Sequence, residues 1–542
     1  METYDYIVVG AGSAGCALAR RLSDDPDRRV LLLEAGPPAK GFWLSAPAGM
    51  ARLFRNDRIN WSYFTEPVPT MRDRRIYWPR GKVLGGSSAI NGMVYLRGHR
   101  LDFDHWKRLG NPGWGYDDVL PYFRRMEHNE PGGDDYRGTG GPLWISDPVI
   151  RHPCSADFIE SARRVGIPLT DDLNGEVHDG VGFLQYNIRR GVRQSAYVAY
   201  IEPVRTRSNL VVEAGAHVQR VLFRDRQATG VEVLVNGQRR TIAASREVIL
   251  SAGALNSPHL LMLSGIGDGA TLQRFGIATV VDSPGVGRNL QDHFYVHCLV
   301  RSKPDSSFNR DLHGLRKYWQ GLRYLATGTG YLALGSSQAV AFVKSRPEEE
   351  YADLQISFRP MTFNFDPTGK VSVDRNPAIS ASLYRVRPKS VGYMTLRSAD
   401  PLEAPAFFPN YISDPEDVRA TISGMRQIRQ ILSTRPVALR LAGEISPGPQ
   451  VQTDDQFLDY FQTHGNSCYH PVGTCKMGRD SMAVVDARLR VHGVERLRVI
   501  DASIMPQVTA GNTNAASIMI GEKGADLIRA DAVAPQPVAN AS

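Results

Sequence analysis

The feature that most constrains this chain lies in its first thirty-four residues. Asp5 to Val9 is an apolar run suited to a buried strand, and it ends in Gly10-Ala11-Gly12-Ser13-Ala14-Gly15, a G-x-G-x-x-G loop. Ala17 to Leu22 reads as the first turns of a helix. Val30 to Leu33 reads as a second strand, ending in Glu34, nineteen residues past Gly15. Parts in that order make a dinucleotide-binding βαβ unit. Gly10 makes the tight turn, Gly12 lets backbone N–H groups approach a pyrophosphate, and Gly15 lets helix and strand pack closely. The helix N-terminus attracts phosphate charge, and the Glu34 carboxylate can accept from ribose hydroxyls. Which dinucleotide, and for what chemistry, the stretch alone leaves open.

With 542 residues the chain is long for one core, so two domains are expected. The net charge of +8 is spread over scattered arginines with no basic block or arm, which speaks against nucleic acid as a partner. Attraction to an anionic membrane surface stays open, although no amphipathic basic helix is expected. Five widely spaced cysteines suggest a reduced compartment rather than a disulfide framework. The first strand starts almost at the N-terminus, leaving no room for a signal peptide, and no apolar run approaches the ~20 residues of a membrane span. The expectation is a soluble cytoplasmic protein, with peripheral attachment to the inner membrane left open.

A stretch rich in Trp, Tyr and Pro follows Glu34, including Trp43, Trp61, Tyr63 and Trp78; it can cover a ligand or pack a domain edge. Gly81 to Tyr95, with Gly85-Gly86-Ser87-Ser88 and Asn91, offers densely placed donors without bulk, suited to run along a phosphate or a planar ring. Asn209 to Phe223 reads as two strands about Gly215, and Glu247 to Leu250 as another, feeding a helix from Ala254. From about residue 300 to 465 the texture changes to alternating strands and long helices. One helix starts at Asp414-Pro415 with an apolar face of Val418, Ile422, Met425, Ile428 and Leu432. The tail from Asp531 reads as disordered.

Taken together, these segments resemble the glucose-methanol-choline (GMC) family of FAD-dependent alcohol oxidoreductases over nearly the whole chain. Gly81–Gly98 and Gly253–Gly267 look like its two signatures, and Cys468–Gly478 and Gly511–Ala516 like its two C-terminal active-site segments. The resemblance implies an α/β fold. A Rossmann-like FAD-binding domain would be assembled from residues 1–155, 205–300 and 468–530. A substrate domain with a mixed or antiparallel sheet would comprise residues 156–204 and 301–467, leaving 531–542 as the tail. It implies FAD rather than NAD, held by Gly10, Gly12, Ser13, Ala14, Gly15, Glu34 and Ala35, with Val218 near the adenine. Val83, Gly85, Ser88, Asn91, Gly92, Met93 and Val94 would serve the pyrophosphate and flavin, with Asp501, Ala502, Asn512 and Thr513 completing the site. Some family members bond the flavin covalently to a histidine in the first signature; the corresponding position here is Ile90, so non-covalent FAD is predicted.

Moving a hydride from an alcohol carbon leaves positive character there, and removing the hydroxyl proton compensates it. A histidine is the natural base. The family's histidine ahead of Pro-x-Gly-Thr maps to His470, and its orienting group forty-four residues later to Asn514. His464, Cys468, His470 and Cys475 offer metal ligands within a short span but without zinc-site spacing, so no metal is expected. Relatives acting on choline or alkanols carry a Glu ahead of a small-residue run. Matching that run to Ala339–Phe342 puts a neutral Gln338 at the acidic position, which argues for an uncharged, primary alcohol. The acceptor is a quinone, another electron acceptor or oxygen, the last giving peroxide. Within the family a non-redox lyase is the alternative from another class, and His470 with Asn514 favours alcohol oxidation over light-driven decarboxylation.

Overall fold

The computed structural model describes residues 2–365 and 371–533. The elements used below run β1 (Thr3–Val9), α1 (Ser13–Leu22), β2 (Val30–Glu34), β3 (Gly180–Phe183), β4 (Leu210–Ala214), β5 (Ala216–Arg224), β6 (Gln227–Val235) and β7 (Gln238–Leu250). They continue as α2 (Gly253–Leu263), β8 (Phe294–Ser302), α3 (Gly314–Thr327), β9 (Ala339–Val343), β10 (Leu354–Arg359) and β11 (Ala378–Arg385). Last come α4 (Pro415–Ser433), β12 (Leu441–Ser446), β13 (Leu497–Val499) and α5 (Asn514–Val533).

Two sheets carry the fold. The first has the order β4-β2-β1-β7-β6-β5, with β13 also paired to β7. Strands β4, β2, β1, β7 and β13 are parallel, whereas β5, β6 and the start of β7 form an antiparallel meander. All five residues of β2 are buried, as a parallel strand covered on both faces requires. Helices α1 and α5 close one face, and they meet at glycine: a Cβ on Gly521 would lie 2.4 Å from the Ala14 carbonyl oxygen. The glycine loop, the β7–α2 turn and the N-terminus of α5 therefore converge at one end of the parallel strands, the place where open α/β sheets bind ligands.

The second sheet is antiparallel, in the order β12-β8-β11-β10-β9-β3. Alternation gives it two faces. Leu354, Ile356, Phe358 and Leu383 are buried, with Phe158 stacked on Phe358 at 4.5 Å and Gly424 of α4 seated on Leu354 and Leu383. The opposite face presents Tyr295 and His297 of β8, Gln355, Ser357 and Arg359 of β10, and Ser382 and Tyr384 of β11 to a cavity between the sheets. Helix α4 matches its sequence pattern: Asp414 caps it by accepting from the Glu416 amide, and Ile422, Met425, Ile428 and Leu432 are buried.

Three details differ from the sequence reading. Strand β8 pairs with β11, so membership of the second sheet begins at Phe294, ahead of the boundary expected at residue 301. Asp531 is not in a disordered tail: it lies in α5 and accepts from Arg498 at 2.8 Å, while residues 534–542 fall outside the described residues. The third concerns the expected lack of an amphipathic basic helix. Helix α3 carries Leu315, Tyr318, Trp319, Leu322 and Leu325, each 60–86% exposed, together with Arg316, Lys317, Arg323 and no acid. Tyr324 is its one buried residue, donating to the Gly191 carbonyl at 3.0 Å, and Arg316 pairs with Asp311. No helix among the described residues is long and apolar enough to cross a membrane.

Candidate active site

A continuous cavity of about 600 Å³ runs from the glycine loop to the face of the second sheet, a size suited to a bound organic group. Gly10, Gly12, Ser13, Ala14, Glu34, Ala35 and Val218 line one end. Gly10 holds φ at +103°, a left-handed conformation only glycine adopts freely, and a Cβ there would strike the Ser251 carbonyl at 2.6 Å. Gly15 does not line the cavity; its missing Cβ lets α1 lie on Gly10, as the packing role predicts. Glu34 accepts from the Ala11 and Gly36 amides at 3.1 and 2.9 Å, and burial pushes its carboxyl up to about 7. Trp61 and Tyr63 stack at 5.8 Å along this end with His217 beside them, so part of the aromatic stretch covers the cavity, while Trp78 is core.

The middle is lined by Asn91, Gly92, Met93 and Val94, with Ile90 beside them; Asp501, Ala502, Asn512 and Thr513 reach it from the C-terminal segments. Val83, Gly85 and Ser88 lie behind the wall instead. Val83 is core, the Gly85 amide donates to Ala11, and Ser88 Oγ donates to the Gly85 carbonyl and accepts from the Ala196 amide. The buried Arg193 supports the same loop, donating to the Asn91 carbonyl at 2.6 Å. These residues shape the wall through backbone contacts, so they serve the site without facing it.

The far end centres on His470. Asp292 Oδ1 accepts from the His470 amide at 2.7 Å, and its other oxygen accepts from Ser467 and Tyr411. The His470 ring is held at both nitrogens: Nδ1 lies 2.9 Å from His293 Nδ1, and Nε2 lies 3.0 Å from Asn512 Nδ2. His293 in turn places Nε2 2.9 Å from the Val386 carbonyl and stacks on Tyr384 at 4.4 Å. This chain of contacts determines the tautomer. A carbonyl only accepts, so His293 carries its proton on Nε2 and accepts at Nδ1. His470 therefore donates from Nδ1, and its Nε2 keeps a lone pair, accepting from Asn512. Burial first, then His293 and Arg80, hold His470 well below the ordinary histidine value, so the ring is neutral at neutral pH.

Sequence spacing singled out Asn514, but the side chain at His470 is Asn512. Asn514, at the start of α5, accepts from Ser13 Oγ at 2.7 Å and still lines the cavity. Asn512 lies just before α5 and Asn514 is its first residue, a difference that spacing alone does not resolve. His293 and Asp292 were missed as site residues; the only signal was an Asp-His pair closing a polar stretch with no apolar period. Gln338 is not a substrate contact. It is buried away from the cavity, accepting from His152 and Ser155 and donating to the Ile150 carbonyl. Two cations line the cavity towards this end: Arg80, which donates to the Tyr469 carbonyl, and Arg359 on the sheet face. Cys468 also lines the cavity, two residues before the histidine.

Among the described residues, the one group of ligand types close enough to share an ion is His99, His178 and Asp179, none of it from the 464–475 stretch. The Leu101 amide donates to His99 Nδ1, so the proton sits on Nε2, the atom turned to Asp179. That tautomer suits hydrogen bonding rather than metal ligation.

Comparison with known proteins agrees with this geometry. Family models described as GMC oxidoreductase match residues 4–295 and 388–521. The chain is 43% identical over 541 residues to a mitochondrial choline dehydrogenase of Mus musculus, covering 97% of this chain and 90% of that one. It is 41% identical over 529 residues to an alcohol dehydrogenase [acceptor] of Pseudomonas putida, covering 97% and 95%. The crystal structure of pyridoxine 4-oxidase from Mesorbium loti superposes with a TM-score of 0.87 at 31% identity, over 96% of this chain and 98% of that one.

Proposed function

The chain belongs to the GMC oxidoreductase family, with FAD as its cofactor, and from that premise we propose that it oxidises a primary, non-cationic alcohol to an aldehyde. The observation that carries the reading is the lone pair held on His470 Nε2 at the cavity face. FAD suits the cradle: the glycine loop is free of side-chain bulk where a pyrophosphate would lie, Glu34 lines that end, and Asn91 to Val94 line the middle, where the flavin would be held. When bound, FAD supplies the hydride acceptor. With Ile90 where a covalent histidine would stand, it is held non-covalently. The substrate hydroxyl takes over from the Asn512 amide as the donor to His470 Nε2, Asn512 turns its amide to the hydroxyl oxygen, and His470 takes the proton as the hydride departs. Asp292 and His293 keep the ring from turning. A neutral ring in a buried site matters here, because an imidazolium would have no lone pair with which to accept the hydroxyl proton. Arg359 supports the exclusion of a quaternary ammonium substrate, since like charges would meet in a buried space. The test is anaerobic mixing with a panel of alcohols, read by bleaching of the flavin. Primary alcohols should bleach it, choline should lag behind them, and a flavin left oxidised by every alcohol would overturn the reading in favour of a non-redox lyase.

For the acceptor, the reading is a quinone-type molecule at a membrane surface rather than oxygen, with the protein attached peripherally through α3. The apolar row of α3 is flanked by Arg316, Lys317 and Arg323, and Trp319 and Tyr318 lie within it, the composition of a helix that rests in a lipid interface. An anionic bilayer complements those cations. A two-fold contact with a second copy would set the same cations against each other. Flotation with phosphatidylglycerol-containing vesicles should carry the protein, and Leu322→Asp should abolish flotation while leaving alcohol-driven bleaching unchanged. Wild-type protein that stays at the bottom, or that sediments as a dimer broken by the same variant, would overturn the membrane reading.

A further inference from the structure

The charge at the substrate end is out of balance. Arg359 closes β10 with Gln355 and Ser357 on the same side of the strand, all three lining the cavity. Its guanidinium lies over Phe363 at 5.3 Å, and Nη2 stands 3.4 Å from Ser337 Oγ, a long and weak contact. Nε is buried with no hydrogen-bond partner among the described residues. The three acids along the cavity are occupied or remote. Glu34 accepts from Ala11 and Gly36, Asp501 from Gly253 and Ser503, and Glu403 lies exposed on the surface side. Tyr295, His297 and Cys468 surround the guanidinium instead and bring no negative charge. A cation held away from water without an acid is costly, and the arginines buried deepest have mostly found one: Arg97 and Arg137 with Glu127, Arg498 with Glu247. Two without an acid have backbone acceptors instead: Arg193 makes three contacts to the cofactor loop and one to the Pro47 carbonyl, and Arg80 donates to the Pro79 and Tyr469 carbonyls.

We propose that Arg359 is the anion subsite of the substrate pocket and that the alcohol oxidised at His470 carries a carboxylate at its other end. The Nε–Nη2 edge, with Nε unpartnered and Nη2 in only the long Ser337 contact, is the fork that takes a carboxylate side-on through two parallel N–H···O bonds. Ser357, Ser382 and Ser337 offer hydroxyls along the way, so the path between the two groups is polar rather than a slot for a plain alkyl chain. The inference rests on the alcohol-oxidation reading for its reactive end, and the two are separable by experiment.

The test pairs ω-hydroxycarboxylates with diols of equal length, mixed anaerobically with wild type and Arg359→Met. Wild type should bleach with the hydroxycarboxylate at about 10- to 100-fold lower concentration than with the diol, the range expected of a paired, charge-assisted contact. In Arg359→Met the ratio between the two substrates should collapse towards one, and Arg359→Lys should recover part of it. A second readout needs no turnover: pentanoate, which has no alcohol to oxidise, should perturb the bound flavin's visible spectrum in wild type and lose at least tenfold in affinity in Arg359→Met. Equal affinity for pentanoate in both proteins, or equal loss for both alcohol classes, would overturn the proposal. Bleaching by neither class, with pentanoate still discriminating, would sink the alcohol reading and leave the anion subsite standing.

Discussion

The adenosine end of the cavity is built from backbone, and the reactive end from side chains. Gly10, Gly12, Glu34 and Ala35 come from two neighbouring parallel strands, and their geometry follows from local rules: a positive φ at Gly10 and two amides donated to Glu34. At the other end His293, His470 and Asn512 arrive from separate stretches and touch only once both sheets have formed, with Arg359 lining the same cavity. A backbone site fails mainly by steric intrusion. A side-chain site fails when one proton or one charge is misplaced, without any change of shape. The largest expected effects therefore lie at the reactive end.

His470→Ala should retain FAD, since the glycine loop is untouched, yet slow flavin reduction by ~10²–10⁴-fold, the usual range for a general base. Stopped-flow reduction beside the visible spectrum of the purified variant checks both halves. Unimpaired reduction would remove the comparison's central claim. Next comes His293→Phe, which keeps a ring against Tyr384 but removes the acceptor for His470 Nδ1. His470 is then free to place its proton on Nε2, and reduction should fall by about 10- to 100-fold, roughly the loss of one buried hydrogen bond. A purely structural role would lower stability without moving the pH profile. The positioning role moves it, because His470 loses the neighbour that helps hold it below the ordinary histidine range.

The asymmetry between the ends also explains what the sequence made legible. Strands β1 and β2, the loop between them and Glu34 could be read directly, because apolar runs, glycines and an acid at set spacing encode a local motif. The catalytic histidine could be read from its motif, but its partners could not. Asn512 and Asn514 are two residues apart, and only the entry of α5 decides which one turns to His470 and which to Ser13. Gln338 was a reasonable guess from one strand's apolar run, yet strand parity turned it to the helix side, and the alternate residues of β10 supplied the charge instead. Helix α3 escaped notice because Gly314 and Gly321 dilute its period, so its apolar row shows only on the folded surface.

Asn512→Ala and Asn514→Ala sharpen the comparison with a smaller effect. Asn512→Ala should slow reduction about tenfold, the worth of one hydrogen bond of about 1.4 kcal/mol. Asn514→Ala breaks the bond to Ser13 beside the pyrophosphate loop and should act mainly on FAD affinity. The reverse pattern would return the orienting role to Asn514.

The smallest effect is on stability, and it sets the titration of the buried histidines against that of Glu34. Burial holds His217, His259 and His293 at about 4. Each folded-state value lies below the unfolded one of about 6.5. The unfolded chain therefore takes up protons the folded chain refuses, and stability falls as pH drops from about 6.5 towards 4. Glu34 runs the other way: burial raises it to about 7, so its contribution is full below the unfolded value and is lost as pH rises towards 7. Between pH 5 and 7 the histidines outnumber it, and the melting temperature of FAD-free protein should fall on acidification. Glu34→Gln removes the opposing titration, so its melting temperature should fall more steeply over the same interval than that of wild type. Parallel curves would mean that Glu34 titrates in the ordinary carboxylate range, and that the adenosine end is more solvated than its burial implies.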